Sequence, residues 1–288
     1  MRIATLMLIA TLIAHVGCAT ADSPAPANEP SAARTPSGDF AGLADAIAHE
    51  RRDDDRARDV YRHPEETLRF FDVQPTHTVV EYAPGGGWYT RVIAPYVADE
   101  GQYVAVVFAG DDTPIERLQK GLVGWDEGFP GRVEEMAGVP AAKTRAYFGS
   151  AIPEEAHGTV DRVVIPRMLH NLKRWDIADQ ELRAIRTMLK DDGLVGVVQH
   201  RAKPDAPYSY ADGNKGYLRE ADVVAMMELS GFRLVDRSEI NANPKDTADY
   251  EGGVWTLPPS LRLGDVDREK YVAIGESDRA TLLFEKAD

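Results

Sequence analysis

The chain has 288 residues, with 33 Lys and Arg against 47 Asp and Glu, for a formal net charge of −14. An acidic chain without a basic stripe argues against nucleic-acid binding, because phosphate backbones are held by Lys and Arg. The single cysteine, Cys18, leaves no partner for an internal disulfide.

Residues 1–21 read as a secretory signal peptide. Arg2 is positive, Ile3 to Val16 is mostly apolar but short for a membrane span, and small residues follow. Two processing readings stand side by side. Cleavage after Ala19-Thr20-Ala21 would start the mature chain at Asp22. Alternatively, Cys18, after Val16-Gly17, becomes a lipidated first residue. Both place the protein outside the cytoplasm, in the periplasm or cell envelope. Membrane contact is expected only through a lipid on Cys18. Residues 22–38 are rich in Ala, Pro and Ser and read as a disordered tether. Residues 39–288 suit one domain with its own core.

From Phe40 to Phe71 the pattern predicts helix, with Pro64 opening a second helix. The charge run Glu50–Asp59 is expected to be a solvated helix face. Next, strands alternate with helices: THTVVEYAP, TRVIAPYVA, QYVAVVFA, a helical then loop-like stretch over 112–140, TVDRVVIPRML, WDIADQELRAIRTML ended by KDDG, LVGVVQHRA and EADVVAMMELSG. This alternation predicts an α/β fold. FRLVDRSEI and RATLLFEKA close the chain with no clear helix between them. The expected fold is a doubly wound, mostly parallel seven-stranded sheet with an antiparallel edge strand.

The stretch VVEYAPGGGWYT ends a strand in an acid and enters a helix through glycines. Gly85, Gly86 and Gly87 lack Cβ, so a ligand can approach their backbone. N–H groups at such a turn can receive a carboxylate. A plain tight turn is the alternative. His170 and His200 end two strands expected to be neighbours, so both imidazoles can face one pocket as base, acid or ligand. Arg167 and Asn171 flank the same opening and could orient a polar substrate. Tyr208, Tyr210 and Tyr217 lie in a polar, aromatic segment suited to a lid. Trp255 lies in an extended excursion and is read as packing. No spaced metal-ligand cluster is present, so no metal is expected.

VVEYAPGGG, LKDDGLVGVV and LSGFRLV resemble three signatures of the class I S-adenosylmethionine-dependent methyltransferase fold. YRHPEETLRFF, PGGGWYT, HNL, GYLRE, VWTLPP and IGESDR resemble, more narrowly, the bacterial group of exported predicted methyltransferases. The resemblance covers about 40–288. It implies S-adenosylmethionine as cofactor and a small-molecule substrate. Its methionine part would sit on Gly85, Gly86 and Gly87, with Glu81 taking the ammonium or a water. Tyr61, Arg62 and His63 would close over it.

The chain also departs from the pattern. Ala83 stands where the family has glycine. YVAVVFAG carries no ribose-binding acid at its end, and Asp111 follows a few residues later as the candidate. Ser150 stands near where the adenine-side acid is usual. Three functions therefore stay open: methyl transfer, ligand binding on the same fold, or a cofactor-independent enzyme using His170 and His200. The residues leave the oligomeric state open.

Overall fold

Runs such as TVVEY, QYVAVV and VDRVVIP leave no polar face, and strands of that kind must be covered on both sides. The computed structural model describes residues 38–287. The signal segment, Cys18 and all of the 22–38 tether except Gly38 lie outside the described residues.

Seven strands form one sheet in the order β3-β2-β1-β4-β5-β7-β6. They are β1 (Thr78–Tyr82), β2 (Gln102–Val107), β3 (Thr144–Phe148), β4 (Val160–Pro166), β5 (Leu189–His200), β6 (Phe232–Ser238) and β7 (Arg279–Lys286). Strands β1 to β5 pair in parallel. Strand β7 runs antiparallel to both neighbours and lies between β5 and the edge strand β6. KDDG belongs to the start of β5, where pairing with β4 is irregular, and not to the end of a helix.

Three short helices precede the sheet: α1 (Leu43–Ala48), α2 (Asp59–Arg62) and α3 (Pro64–Phe70). Between strands come α4 (Thr90–Val97), α5 (Glu116–Gly121), α6 (Trp125–Ala137), α7 (Leu169–Arg174), α8 (Ala178–Met188), α9 (Tyr208–Ala211) and α10 (Glu220–Leu229). The last, α11 (Arg268–Ile274), lies in the excursion between β6 and β7. Helix α4 packs against α1 and α6, and α4 and α6 cover the β1–β3 half of the sheet. Trp125 stacks on Phe129 and tilts onto Phe148, which anchors α6 to β3. Helix α8 turns Leu182, Ile185 and Met188 inward, the spacing of an apolar stripe. No helix among the described residues is long and apolar enough to cross a membrane.

Parallel neighbours β1 and β4 continue to opposite sides of the sheet. Their C-terminal ends therefore diverge and open a crevice, the usual ligand position in such sheets. The excursion 239–278 folds over this end. Its Ser277 meets His200 at the end of β5, and its Trp255 meets His170 just after β4.

Candidate functional site

One wall of the crevice is the turn after β1. Ala83, Gly85 and Gly87 all adopt left-handed backbone, with φ of 53°, 59° and 79°. The three glycines serve two purposes. A Cβ on Gly85 would meet only Ala83 O, at 3.9 Å, and one on Gly86 would meet nothing within 4 Å. Their backbone is exposed and open to a ligand. A Cβ on Gly87 would lie 2.3 Å from Met136 Sδ, so a side chain there needs Met136 to move and must also adopt left-handed backbone. Ala83 takes the left-handed conformation that the family pattern assigns to glycine, at a cost of about 1 kcal/mol.

Glu81 lies beneath this turn, 1% exposed. One of its carboxylate oxygens accepts hydrogen bonds from Thr90 Oγ1 and Tyr103 OH, both at 2.7 Å. Burial pushes its pKa up to about 7, against the opposing pull of these two donors.

The charge run Glu50–Asp59 is not simply a solvated face. Arg52 is fully buried and paired with Asp59, at 2.7 and 3.0 Å. Asp55 is gripped by Arg91 of α4, whose third nitrogen donates to Gly86 O at 3.0 Å. Arg52 and Arg62 both lie over the ring of Trp88, at 5.1 and 4.9 Å. This segment thus braces the glycine turn from behind. Long-range charge pairs leave no periodic signal, so sequence reading missed them.

The end of β2, where the resemblance leads one to expect an acid, carries none. Phe108 follows β2, is 3% exposed and packs edge-on against Trp175 at 5.0 Å. Asp111 is exposed in the next turn. Asp112 folds back instead, accepting from Ala109 N at 3.2 Å and Gln180 Nε2 at 3.3 Å. Ser150, after β3, is exposed. A further acid, Glu181 of α8, is fully buried and accepts from Tyr82 OH at 2.7 Å. Its place on the apolar face, three and seven residues from Ala178 and Met188, was the available signal.

The opposite wall holds the histidines. The structure brings His170 and His200 together, ring centroids 5.6 Å apart. Both are buried, and burial holds both imidazoles neutral. His170 is lowered to about 3 by desolvation and then by nearby Arg174. His200 is lowered by desolvation and then by His170. Gln199 Oε1 accepts from His170 N at 3.4 Å, which directs its amide nitrogen at His170 Nδ1, 3.3 Å away. An amide nitrogen can only donate, so His170 carries its proton on Nε2. His200 Nδ1 lies 2.6 Å from Ser277 Oγ.

Arg167 joins the two walls. It is partly buried, in left-handed backbone directly after β4. Its charge acts on Glu81 and Tyr89 on one side and on His170 and His200 on the other. Its side chain has no hydrogen-bond or ion-pair partner among the described residues. Asn171 sits beside the same opening, with Oδ1 buried and without a partner.

The tyrosine segment is tied down more than a lid would be. Tyr217 is buried, donates to Asp246 and stacks on Tyr210 at 5.8 Å, while Tyr208 is 61% exposed. Trp255 does more than pack: its ring stands 6.1 Å from His170, between Arg174 and Arg262. No group of three or more His, Cys, Asp or Glu placed to hold a metal occurs among the described residues.

No protein-family model matches the chain, and no curated protein matches it. Among solved structures, it is similar to a geranyl diphosphate methyltransferase in complex with S-adenosylmethionine. The identity is 15% over 87% of this chain and 92% of that one, with a TM-score of 0.53. The chain has the class I S-adenosylmethionine-dependent methyltransferase fold. It also aligns with a methyltransferase from Aquifex aeolicus, 16% identical over 71% of this chain and 94% of that one, TM-score 0.46. A TehB-like methyltransferase from Corynebacterium glutamicum aligns at 11% identity over 84% and 98%, TM-score 0.43. At the crevice of this fold, the turn at Gly85 and Gly86 leaves its backbone open, and Phe108, buried, follows β2.

Proposed function

We propose that the protein transfers a methyl group from S-adenosylmethionine to a small molecule. The observation that carries this reading is the left-handed, open-backed turn at Ala83–Gly87, placed at the crevice between β1 and β4. When bound there, S-adenosylmethionine supplies an electrophilic methyl group. The chain's own residues then have distinct tasks. Gly85 and Gly86 present backbone N–H groups to the methionine carboxylate. Glu81 fixes Thr90 and Tyr103 beneath the turn and offers a nearby carboxyl for the ammonium. His170 donates from Nε2 and orients the acceptor. His200, neutral and held by Ser277, takes the acceptor's proton. Asp111, in the turn after β2, stands nearest in sequence to the missing ribose acid.

A second reading, ligand binding without methyl transfer, is favoured by Phe108 under Trp175. Calorimetry of the protein with S-adenosylmethionine and S-adenosylhomocysteine separates the two. Binding of both supports the transferase; absence of binding at millimolar concentration removes it.

Export to the periplasm or cell envelope is part of the same proposal and rests on residues 1–21 and Cys18. If Cys18 carries a lipid, Cys18→Ser releases the protein from the membrane fraction of its host; retention there would mean another anchor.

A further inference from the structure

Three guanidinium groups meet one carboxylate, and a fourth lies near them. Arg58 and Arg62, from the segment before the sheet, donate to Glu276 at 2.7 and 2.9 Å. Arg279, opening β7, donates to the same carboxylate at 3.0 Å. Arg167 lies within electrostatic range of Glu276, Arg279 and Arg58. The neighbouring acids are committed elsewhere: Asp59 to Arg52, Asp55 to Arg91 and Asp278 to Arg201.

The hydrogen-bond inventory is equally one-sided. Arg62 and Arg279 are each 2% exposed. Both terminal nitrogens of Arg62, Nε of Arg279 and one terminal nitrogen of Arg58 are buried without an acceptor. Buried donors left without acceptors are costly, and an excess of buried like charge adds to that cost. Desolvation, and then repulsion from Arg279, holds Arg167 down at about 10. A cleft of about 200 Å³ reaches the cluster from outside, lined by Tyr61, His63, Asn243, Lys245, Glu276 and Arg279.

We infer that the acceptor molecule carries an oxyanion, a carboxylate or a phosphate ester, which Arg167 binds with support from Arg62 and Arg279. The guanidinium fork matches both groups, since each offers paired oxygens to parallel N–H donors. The inference rests on the methyl-transfer reading only in calling this molecule the acceptor; the anion site itself does not need a methyl donor. It has a further consequence. A sulfonium cation entering the same crevice is repelled by the uncompensated guanidinium groups. An oxyanion already in place offsets that repulsion, so the two ligands tighten each other's binding.

The test is calorimetry of the full chain with inorganic phosphate and with citrate, first without any methyl donor. Binding of either probe that falls at least about tenfold in Arg167→Gln, and by less in Arg167→Lys, which keeps the charge but not the fork, is the expected result. Phosphate alone points to a phosphate ester and citrate alone to a carboxylate. Arg167 has no hydrogen-bond partner to lose, so the glutamine variant should fold, and circular dichroism checks this. Failure of both probes to bind at roughly 10 mM, or unchanged binding by Arg167→Gln, overturns the site. S-adenosylmethionine is then titrated with the bound probe present. Tighter donor binding is expected. Weaker binding would mean that Arg167 takes the donor's own carboxylate, and would overturn the acceptor assignment. If the donor never binds but the probes do, methyl transfer falls and the anion site stands.

Discussion

Asp55 and Arg91 hold each other through two hydrogen bonds, of 2.6 and 2.8 Å, across the back of the glycine turn. Arg91 also carries the bond to Gly86 O, so the pair transmits the position of the leading segment to the turn. Asp55→Ala leaves Arg91 partly buried and unpaired. It should lower stability by about 2 kcal/mol, between the values for exposed and fully buried pairs. Urea unfolding measures the loss. Hydrogen exchange should show faster exchange at Gly85–Gly87 before the rest of the sheet; uniform change would mean the pair does not brace the turn.

Glu81 gives a pH dependence opposite to that of a salt-bridged carboxylate. Its pKa is about 7 in the folded chain against 4.5 for the free group, with burial as the main cause. Between these values the folded state keeps a proton that the unfolded state has lost. Stability from this group therefore falls as pH rises from about 4.5 to about 7, by about 3 kcal/mol in all. His170, lowered from 6.5 to about 3, acts in the reverse sense: its contribution rises with pH through that interval. Glu81→Gln cancels the histidine effect from the comparison. The stability of wild type relative to Glu81→Gln should drop between pH 4.5 and 7.5; a constant difference would show that Glu81 is ionised throughout.

On the proposed binding of S-adenosylmethionine, the lack of an acid at the end of β2 has a direct chemical consequence. With no carboxylate to accept from the 2′- and 3′-hydroxyls, removing one hydroxyl costs little. S-adenosylhomocysteine and its 2′-deoxy analogue should bind within about threefold of each other, whereas a site with the acid would lose ~1–3 kcal/mol. Competitive titration decides. A tenfold preference for the ribose form would place an acceptor, Asp111 foremost, at that hydroxyl.

Ala83 stands at φ 53° in the turn. Ala83→Gly removes the strain of a Cβ in left-handed backbone and should raise stability by about 0.5–1 kcal/mol. Gly87→Ala should do the opposite, and more strongly, because its new methyl meets Met136 Sδ. Thermal unfolding of the two variants should therefore shift in opposite directions. A fall in both would locate the strain elsewhere.

Strands such as TVVEY and VDRVVIP were legible because parallel strands covered on both faces must be apolar runs. The pairing of His170 with His200 was legible because β4 and β5 are neighbours, although only His200 ends its strand: β4 stops at Pro166, and His170 lies in the first turn of α7. What escaped reading was non-local. Asp55, Arg58 and Arg62 have the composition of a solvated face, yet their partners lie on α4 and in the excursion before β7. The bond from His200 to Ser277 and the fit of Trp255 beside His170 depend on how 239–278 folds back. Charge type and spacing carry no information on such a return.

Glu276 receives Arg58 and Arg62 across 218 and 214 residues of chain. Strands β1 to β5 pair among themselves without residue 276, but this junction needs it. Without residue 276, Arg58 and Arg62 lack the carboxylate they share. Contacts of such long sequence separation are slow to form. A truncated or stalled chain would thus present folded strands around an unfinished pocket. Ligand capture is in this way reserved for chains that have brought residue 276 back to the leading segment.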